Sequence, residues 1–471
     1  MMRTSMAWHK TLILYALVTA AFLAGTALIL REGQKLPASA GISAAQAGLA
    51  HEKQSSPPPP PDQTSPRHRL HTLLLLAAQI AAALVCAKIF GFVFKSLGQP
   101  SVLGEITAGL FLGPSVLGYF FPDLLSGLFP SSSLHVLEIL SLAGVSLFMF
   151  LTGMEIDTGH LKKQAFSAVL ISHTGILFPF FLGAVLSYFL YASHAPKGIA
   201  FAPFCLFMGI AMSITAFPVL AKILKEKNLS ATPLGILILG CAAADDVTAW
   251  VLLAGITAFI RSGSPDTLGW TAAASLIYVL LMLKAVKPFL RKRFEQKNRD
   301  KKNFIFEAAA LLMISSAVTE AIGIHALFGA FIAGAVLPRS QEIREGLERR
   351  VESAAHLLLP LFFVLSGLKT QLGLIHAGDH AAACGVIVLT AVAGKFGGTF
   401  AAARLSGMNT RESLIAGSLM NTRGLMELIV LNIGLDLGVL SPAIFTMMVV
   451  MALVTTFMTS PIVDSLTRKA R

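Results

Sequence analysis

Charge is what this sequence has least of. Only 13% of its 471 residues are Asp, Glu, Lys or Arg, while 55% are hydrophobic and the mean hydropathy is +0.73. No soluble domain of this length needs so much apolar residue, so a water-soluble class is excluded. Cysteine is also scarce. Cys86, Cys205, Cys241 and Cys384 all fall inside apolar runs with no metal-ligand spacing, and they read as small core residues. Nothing supports a G-x-G-x-x-G site, so no nucleotide-binding domain is expected in this chain.

What is present is a series of apolar runs of about 20 residues, the length of a membrane helix. From His71 onward thirteen are counted: about 72–94, 102–120, 135–154, 165–191, 204–224, 232–260, 268–290, 305–322, 324–338, 355–374, 381–404, 412–435 and 442–466. The class is an all-α polytopic membrane protein. Residues 71–471 form its membrane domain. Residues 1–30 hold a further apolar run, Thr11–Leu30, which is either a signal peptide or an extra N-terminal helix. Residues 31–70, with Pro57–Pro61, read as a proline-rich disordered linker.

A net charge of +12 raises the question of a nucleic-acid partner, and its placement answers no. The basic residues concentrate in alternate short loops: Lys162–Lys163, Lys222 to Lys227, Arg291 to Lys302, Arg339 to Arg350, Arg404 to Arg411 and Arg468 to Arg471. The opposite loops hold only Lys197 and Arg261. This is the positive-inside pattern. It predicts a cytoplasmic C-terminus and a non-cytoplasmic linker.

Internal similarity appears at a fixed offset. Leu147–Met154 closes the third span and Leu361–Leu368 lies in the tenth, both reading L-F-x-x-L-[Thr/Ser]-Gly-[Met/Leu]. Gly109–Gly113 of the second span is echoed by Ala330–Gly334 of the ninth. Both offsets are seven spans, and an odd offset reverses direction through the membrane. The pattern predicts an inverted repeat of the kind that builds many secondary transporters. Such folds carry interrupted helices in corresponding positions. Ser213-Ile-Thr215-Ala-Phe-Pro218 interrupts span five, and Met420-Asn421-Thr422-Arg423-Gly424-Leu-Met-Glu427 interrupts span twelve. A proline kink with a buried polar network is the plainer reading; crossed broken helices fit the offset better. Unpaired backbone cannot face lipid, so these breaks face protein or a water-filled cavity.

The chemistry centres on Asp245 and Asp246, adjacent in span six. An ionised Asp at the bilayer centre costs ~2.5–3.5 kcal/mol on insertion scales, so packing does not explain two. A buried carboxylate that holds a proton or a small cation, but not easily both, suffices for coupled exchange. Hard cations want oxygen ligands, and Thr215 is the natural hydroxyl. Lys395 in span eleven needs an acidic partner, and one of the two aspartates supplies it. Arg423 and Glu427, four apart, can pair along one helical face and hold the break. Glu105 in span two and Lys369 in span ten are candidates for an access path or for packing. His173 and His325 read as core histidines, with pH sensing as the alternative.

These segments together are similar to the cation:proton antiporter-2 family, above all to the membrane domains of plant cation/H⁺ exchangers and bacterial sodium/proton antiporter relatives. The carrying motifs are Gly98–Pro114, Leu147–Glu155, Ser213–Leu224, Pro360–Thr370 and Met420–Asn432. The resemblance implies a thirteen-span antiporter fold of two inverted six-span repeats and a homodimer. It also implies that Asp246 is the ion- and proton-binding acid and that Lys395 pairs with Asp245. The plant exchangers typically read Asn-Asp where this chain has Asp245-Asp246, so similarity and acid pair point to different stoichiometries. The nucleotide-binding domain of the family's potassium-efflux members has no counterpart here. The expectation is a monovalent cation/H⁺ antiporter in a bacterial inner membrane, non-enzymatic and without cofactors, whose only metals are transported Na⁺ or K⁺. A sodium-coupled organic anion symporter and a cation channel are the alternatives. A membrane hydrolase is disfavoured, because adjacent acids point about 100° apart on a helix.

Overall fold

The computed structural model describes residues 2–37, 66–155, 165–262, 265–294, 301–338, 341–376 and 379–468. All regular structure among them is helical. Helix α1 is Met2–Gly33, followed by α2 (Pro66–Ser96), α3 (Ser101–Leu112), α4 (Ser131–Glu155) and α5 (Ala165–His194). The fifth span is split into α6 (Phe201–Ser213) and α7 (Phe217–Glu226), and α8 (Pro233–Ser262) carries the two aspartates. Next come α9 (Pro265–Leu281), extended by a π turn, then α10 (Lys301–Ile322), α11 (Ala326–Ala335) and α12 (Gln341–Leu368). α13 (His380–Val392) passes through a π turn, Ala393–Gly397, into α14 (Gly398–Leu405). The halves α15 (Thr410–Met420) and α16 (Leu425–Asp436) precede α17 (Pro442–Arg468).

Twelve described stretches are long and apolar enough to cross a membrane, or thirteen with α15 and α16 taken as one bent span. The N-terminal stretch Ala16–Gly33 is one of them; the short α11 restores the count of thirteen after His71. The ninth span is thus ten helical residues where the sequence suggests fifteen. At 1.5 Å per residue it covers about half of a ~30 Å hydrocarbon core. Its ends are fixed locally: Gly323 turns the chain at φ +99° and the His325 ring accepts a hydrogen bond from Leu327 N at 3.3 Å. The predicted linker falls mostly on residues 38–65, outside the described ones.

The inverted repeat is visible in backbone contacts between small residues. A Cβ on Gly109 of α3 would lie 2.3 Å from Val364 O of α12, and one on Gly113 would lie 3.2 Å from Leu368 Cα. In the mate, a Cβ on Gly153 of α4 would lie 2.1 Å from Phe331 O of α11, and one on Gly334 would lie 3.0 Å from Met154 N. Gly113 against Leu368 and Gly334 against Met154 are aligned positions making the same contact in both repeats, and the other glycines pack the corresponding helix pairs. Glycine there lets helix axes approach closely. Helices α2–α4 and α10–α12 pack chiefly among themselves and form a scaffold. Helices α5–α8 and α13–α17 form a second group, the core.

Candidate ion site at the crossed helix breaks

The two breaks lie in the core and cross each other. Between α6 and α7 the chain is extended at Ile214–Ala216. Pro218 falls in the first turn of α7, where a missing N–H costs nothing. The break therefore precedes the proline rather than kinking around it. Between α15 and α16 the chain unwinds at Asn421–Gly424. Ala216 N donates to Thr422 O at 3.0 Å, and Thr215 Oγ1 donates to Met420 O at 3.2 Å. A Cβ on Gly424 would sit 2.9 Å from Val219, which is how closely the two strands of the crossing approach.

Broken helices expose carbonyls that lack intrahelical donors, at the negative end of a dipole. The end of α6 is met by two cations. Arg423 donates to Ala211 O at 2.9 Å and Met212 O at 2.6 Å. Lys395 Nζ donates to Ser213 O at 2.6 Å and to Gly175 O of α5 at 2.7 Å. Both side chains are completely buried. Arg423 also pairs with Glu427 at 3.0 Å, and Glu427 lies in the first turn of α16, where the dipole favours an acid. Helix α17 props the second break: Arg423 N donates to Thr456 Oγ1, which in turn donates to Arg423 O.

Lys395 has a third partner, and it is Asp245. Nζ to Oδ2 is 2.8 Å, with both side chains at 0% exposure. Thr215 Oγ1 donates to the same Oδ2 at 2.9 Å, and Ser172 Oγ of α5 donates to Oδ1 at 2.6 Å. Asp245 thus accepts from three elements. Asp246, 2% exposed, points about 100° away on α8. Three buried oxygens close in sequence to these groups, Thr399 Oγ1, Asn421 Oδ1 and Thr422 Oγ1, lack a hydrogen-bond partner among the described residues. Such oxygens suit a hard cation.

This constellation of crossed breaks, paired acids and a buried lysine sits in a chain that matches, over residues 80–468, the family model described as "Sodium/hydrogen exchanger, transmembrane". The chain belongs to the sodium/hydrogen exchanger family. It is 43% identical over 398 residues to the Na⁺/H⁺ antiporter NhaS4 of Synechocystis, covering 83% of this chain and 97% of that one. It is 41% identical over 398 residues to cation/H⁺ antiporter 17 of Arabidopsis thaliana, covering 83% of this chain and 48% of the relative. The exchanger domain here therefore spans about half of that plant protein. Among solved structures it is similar to the sodium proton antiporter MjNhaP1 of Methanocaldococcus jannaschii, with a TM-score of 0.59 at 15% identity, over 83% of this chain and 96% of that one. That likeness speaks to the fold alone.

Within this exchanger, the remaining candidates are spread over scaffold and core. Glu105 is half-buried in α3 beside Ser101, whose Oγ accepts from Lys222 of α7 at 2.9 Å. Lys369 sits just past the end of α12, 3.1 Å from Glu138 and 3.6 Å from Asp436. His325 serves as a helix cap, and His173 is half-buried in α5. Among the described residues no group of three His, Cys, Asp or Glu is placed to hold a metal. Sequence reasoning missed Ser172, the carbonyls of Gly175 and Ser213, and Thr456. Ser172 carried one faint signal, a hydroxyl in an apolar run six residues before the phenylalanine-rich stretch Phe178–Phe181.

Proposed function

We propose that this protein is a secondary active antiporter that exchanges a monovalent cation, Na⁺ or K⁺, for H⁺ by alternating access to a site on Asp246 and Asp245. The observation that carries it is the fully buried Asp245–Lys395 pair at the crossing of two helix breaks. Two carboxylates and one ammonium hold one net negative charge when both acids are ionised. One proton or one cation neutralises it, and the two compete. Asp246 is the acid that loads, since its position matches the ion- and proton-binding acid that the family resemblance implies, while Asp245 is bonded to Lys395, Thr215 and Ser172. Thr215 and the unwound backbone supply further oxygens. Lys395 holds Asp245 while the site is empty or protonated and releases it when a cation takes its place. Release of an additional proton through that pair makes exchange electrogenic; without it, exchange is one for one.

Alternation is supported over an open channel, since ions cannot reach a pair at 0% exposure without movement of the surrounding helices. An organic anion fits poorly, because both buried cations are committed to carboxylates and helix-end carbonyls. The reading extends to a homodimer in a bacterial inner membrane, with the basic loops and the C-terminus cytoplasmic. It also takes α1 as a retained helix: the Phe22 ring packs tilted against Phe178 and Phe181 of α5, with centroids 5.4 and 5.5 Å apart.

The test is cation-dependent proton flux in proteoliposomes with Na⁺, K⁺ and Li⁺, with and without a membrane potential. Wild type exchanges at least one of these ions, and Asp246→Asn abolishes exchange. Retained exchange in Asp246→Asn overturns the assignment of the loading acid. Ion flux without proton countermovement overturns antiport.

A further inference from the structure

Among the described residues the polar contacts between core and scaffold include the Arg261–Glu320 pair of α8 and α10 at 2.8 Å and a bond from Gln371 N, after α12, to Thr446 Oγ1 of α17 at 3.1 Å, and others lie at the two ends of the molecule. At the end holding the basic loops, Lys222 of core helix α7 donates to Ser101 of scaffold helix α3 at 2.9 Å. At the other end a cavity of about 310 Å³ lies between scaffold helices α4 and α12 and core helix α16. Glu138, Ser366, Lys369, Asn432 and Asp436 are among its lining residues. Lys369 Nζ is 3.1 Å from Glu138 of α4 and 3.6 Å from Asp436, the last residue of α16. One turn deeper, Asn432 Nδ2 of α16 donates to Ser366 Oγ of α12 at 2.9 Å. Helix α16 begins at the Asn421–Gly424 break, so whatever moves the ion site relative to the scaffold moves α16.

We propose that Lys369 is a positioning residue: a releasable clasp, anchored on the scaffold by Glu138, that grips Asp436 of the core and, with the Asn432–Ser366 bond, sets the balance between the two access states. The inference rests on the alternating-access reading above. The chemistry suits a contact that must break in each cycle. Lys369 and Glu138 are both on the scaffold, so release of Asp436 leaves the lysine paired rather than stranded. Asp436 is 65% exposed, so water receives it when it is let go. While the clasp is closed, the lysine offsets an acid at the C-terminal end of a helix, where the dipole disfavours negative charge. A displacement of one helical turn, about 5 Å, exceeds the reach of both contacts. Exposed pairs of this kind shift an equilibrium only modestly, by roughly two- to fivefold, which biases a cycle without arresting it.

Two measurements test the clasp. In vesicles of known orientation, Lys369→Gln and Asp436→Asn each move the half-saturating cation concentration by about two- to fivefold, in opposite directions on the two faces. The double variant shifts no further than either single one. A merely structural role lowers protein yield or maximal rate and gives no reciprocal shift; that result overturns the proposal. The second readout needs no flux: the distance distribution between spin labels at Val136 of α4 and Leu437 after α16. Lys369→Gln changes the populations of its two distances, and an unchanged distribution overturns the clasp even if exchange itself is confirmed. Absence of exchange in wild type overturns the antiport reading instead, leaving the distance result to judge the clasp.

Discussion

Scaffold and core are built from the same repeat but held together differently. In the scaffold, Gly109, Gly153, Gly334 and Gly367 bring backbone against backbone, with little room for a Cβ. In the core, buried charges and hydroxyls join the helices: Asp245, Lys395, Arg423, Glu427, Thr215 and Ser172. Backbone contact is short-ranged and sterically exclusive, so it fixes one geometry. Polar bonds can exchange partners, since a cation can replace an ammonium at a carboxylate. Rigidity and exchangeable bonding have been assigned to different halves of the molecule, which is what a moving site on a fixed frame requires.

That contrast can be broken from the core side first. Lys395→Met leaves a buried Asp245 without its cation, at a cost of about 3–5 kcal/mol. We expect a large fall in thermal stability in detergent. Combining it with Asp245→Leu removes the stranded charge and returns most of the loss, since replacing a whole buried pair is often near neutral. A double variant as unstable as the single one contradicts the pairing as the source of the effect. Ser172→Ala comes next. It removes one bond to a carboxylate, worth about 1.5–3 kcal/mol, and should change the cation concentration needed for half-maximal exchange.

Gly367→Ala tests the scaffold. Its new Cβ meets Gly109 backbone at 2.6 Å, and overpacking of this kind costs about 1–3 kcal/mol. Melting temperature should drop while half-saturating cation concentration stays put; a change in cation affinity without a change in stability erases the division of labour. The mildest perturbation is pH. Where one proton competes with one cation, each unit of acidification below the titration range raises the half-saturating cation concentration by up to about tenfold, and alkalinity relieves it. Titration of flux at fixed Na⁺ or K⁺ gives the sign directly; a concentration that falls on acidification rules out competition.

Much of the frame was legible because it is periodic. Apolar length marked the spans, and the L-F-x-x-L-[Thr/Ser]-Gly-[Met/Leu] echo marked the repeat that packs Gly109 on Gly367 and Gly153 on α11. Isolated charges in apolar runs pointed to Asp245, Asp246, Lys395 and Arg423 for the same reason. What stayed hidden is whatever has no residue signature. The acceptors at Gly175, Ser213, Ala211 and Met212 are backbone carbonyls, which every residue has. From the residues alone, either aspartate could meet Lys395, because a 100° step on α8 puts them on different faces. The π turn at Ala393–Gly397 that carries Lys395 has only its glycines as a trace, and the shortness of α11 is set by a turn at Gly323 that hydropathy ignores.

The pairing of Asp245 with Lys395 also has a history in time. The two partners are 150 positions apart in the chain. A ribosome adding about 5–20 residues per second needs roughly 8–30 s to cover that distance. During that interval α8 is already made, while the ammonium that meets Asp245 in the finished protein has not yet been synthesised. The apolar residues of α8, with only the hydroxyls of Ser172 and Thr215 already made, must therefore carry both carboxylates into the bilayer without that ammonium, and the site closes only when the second repeat arrives to complete the first.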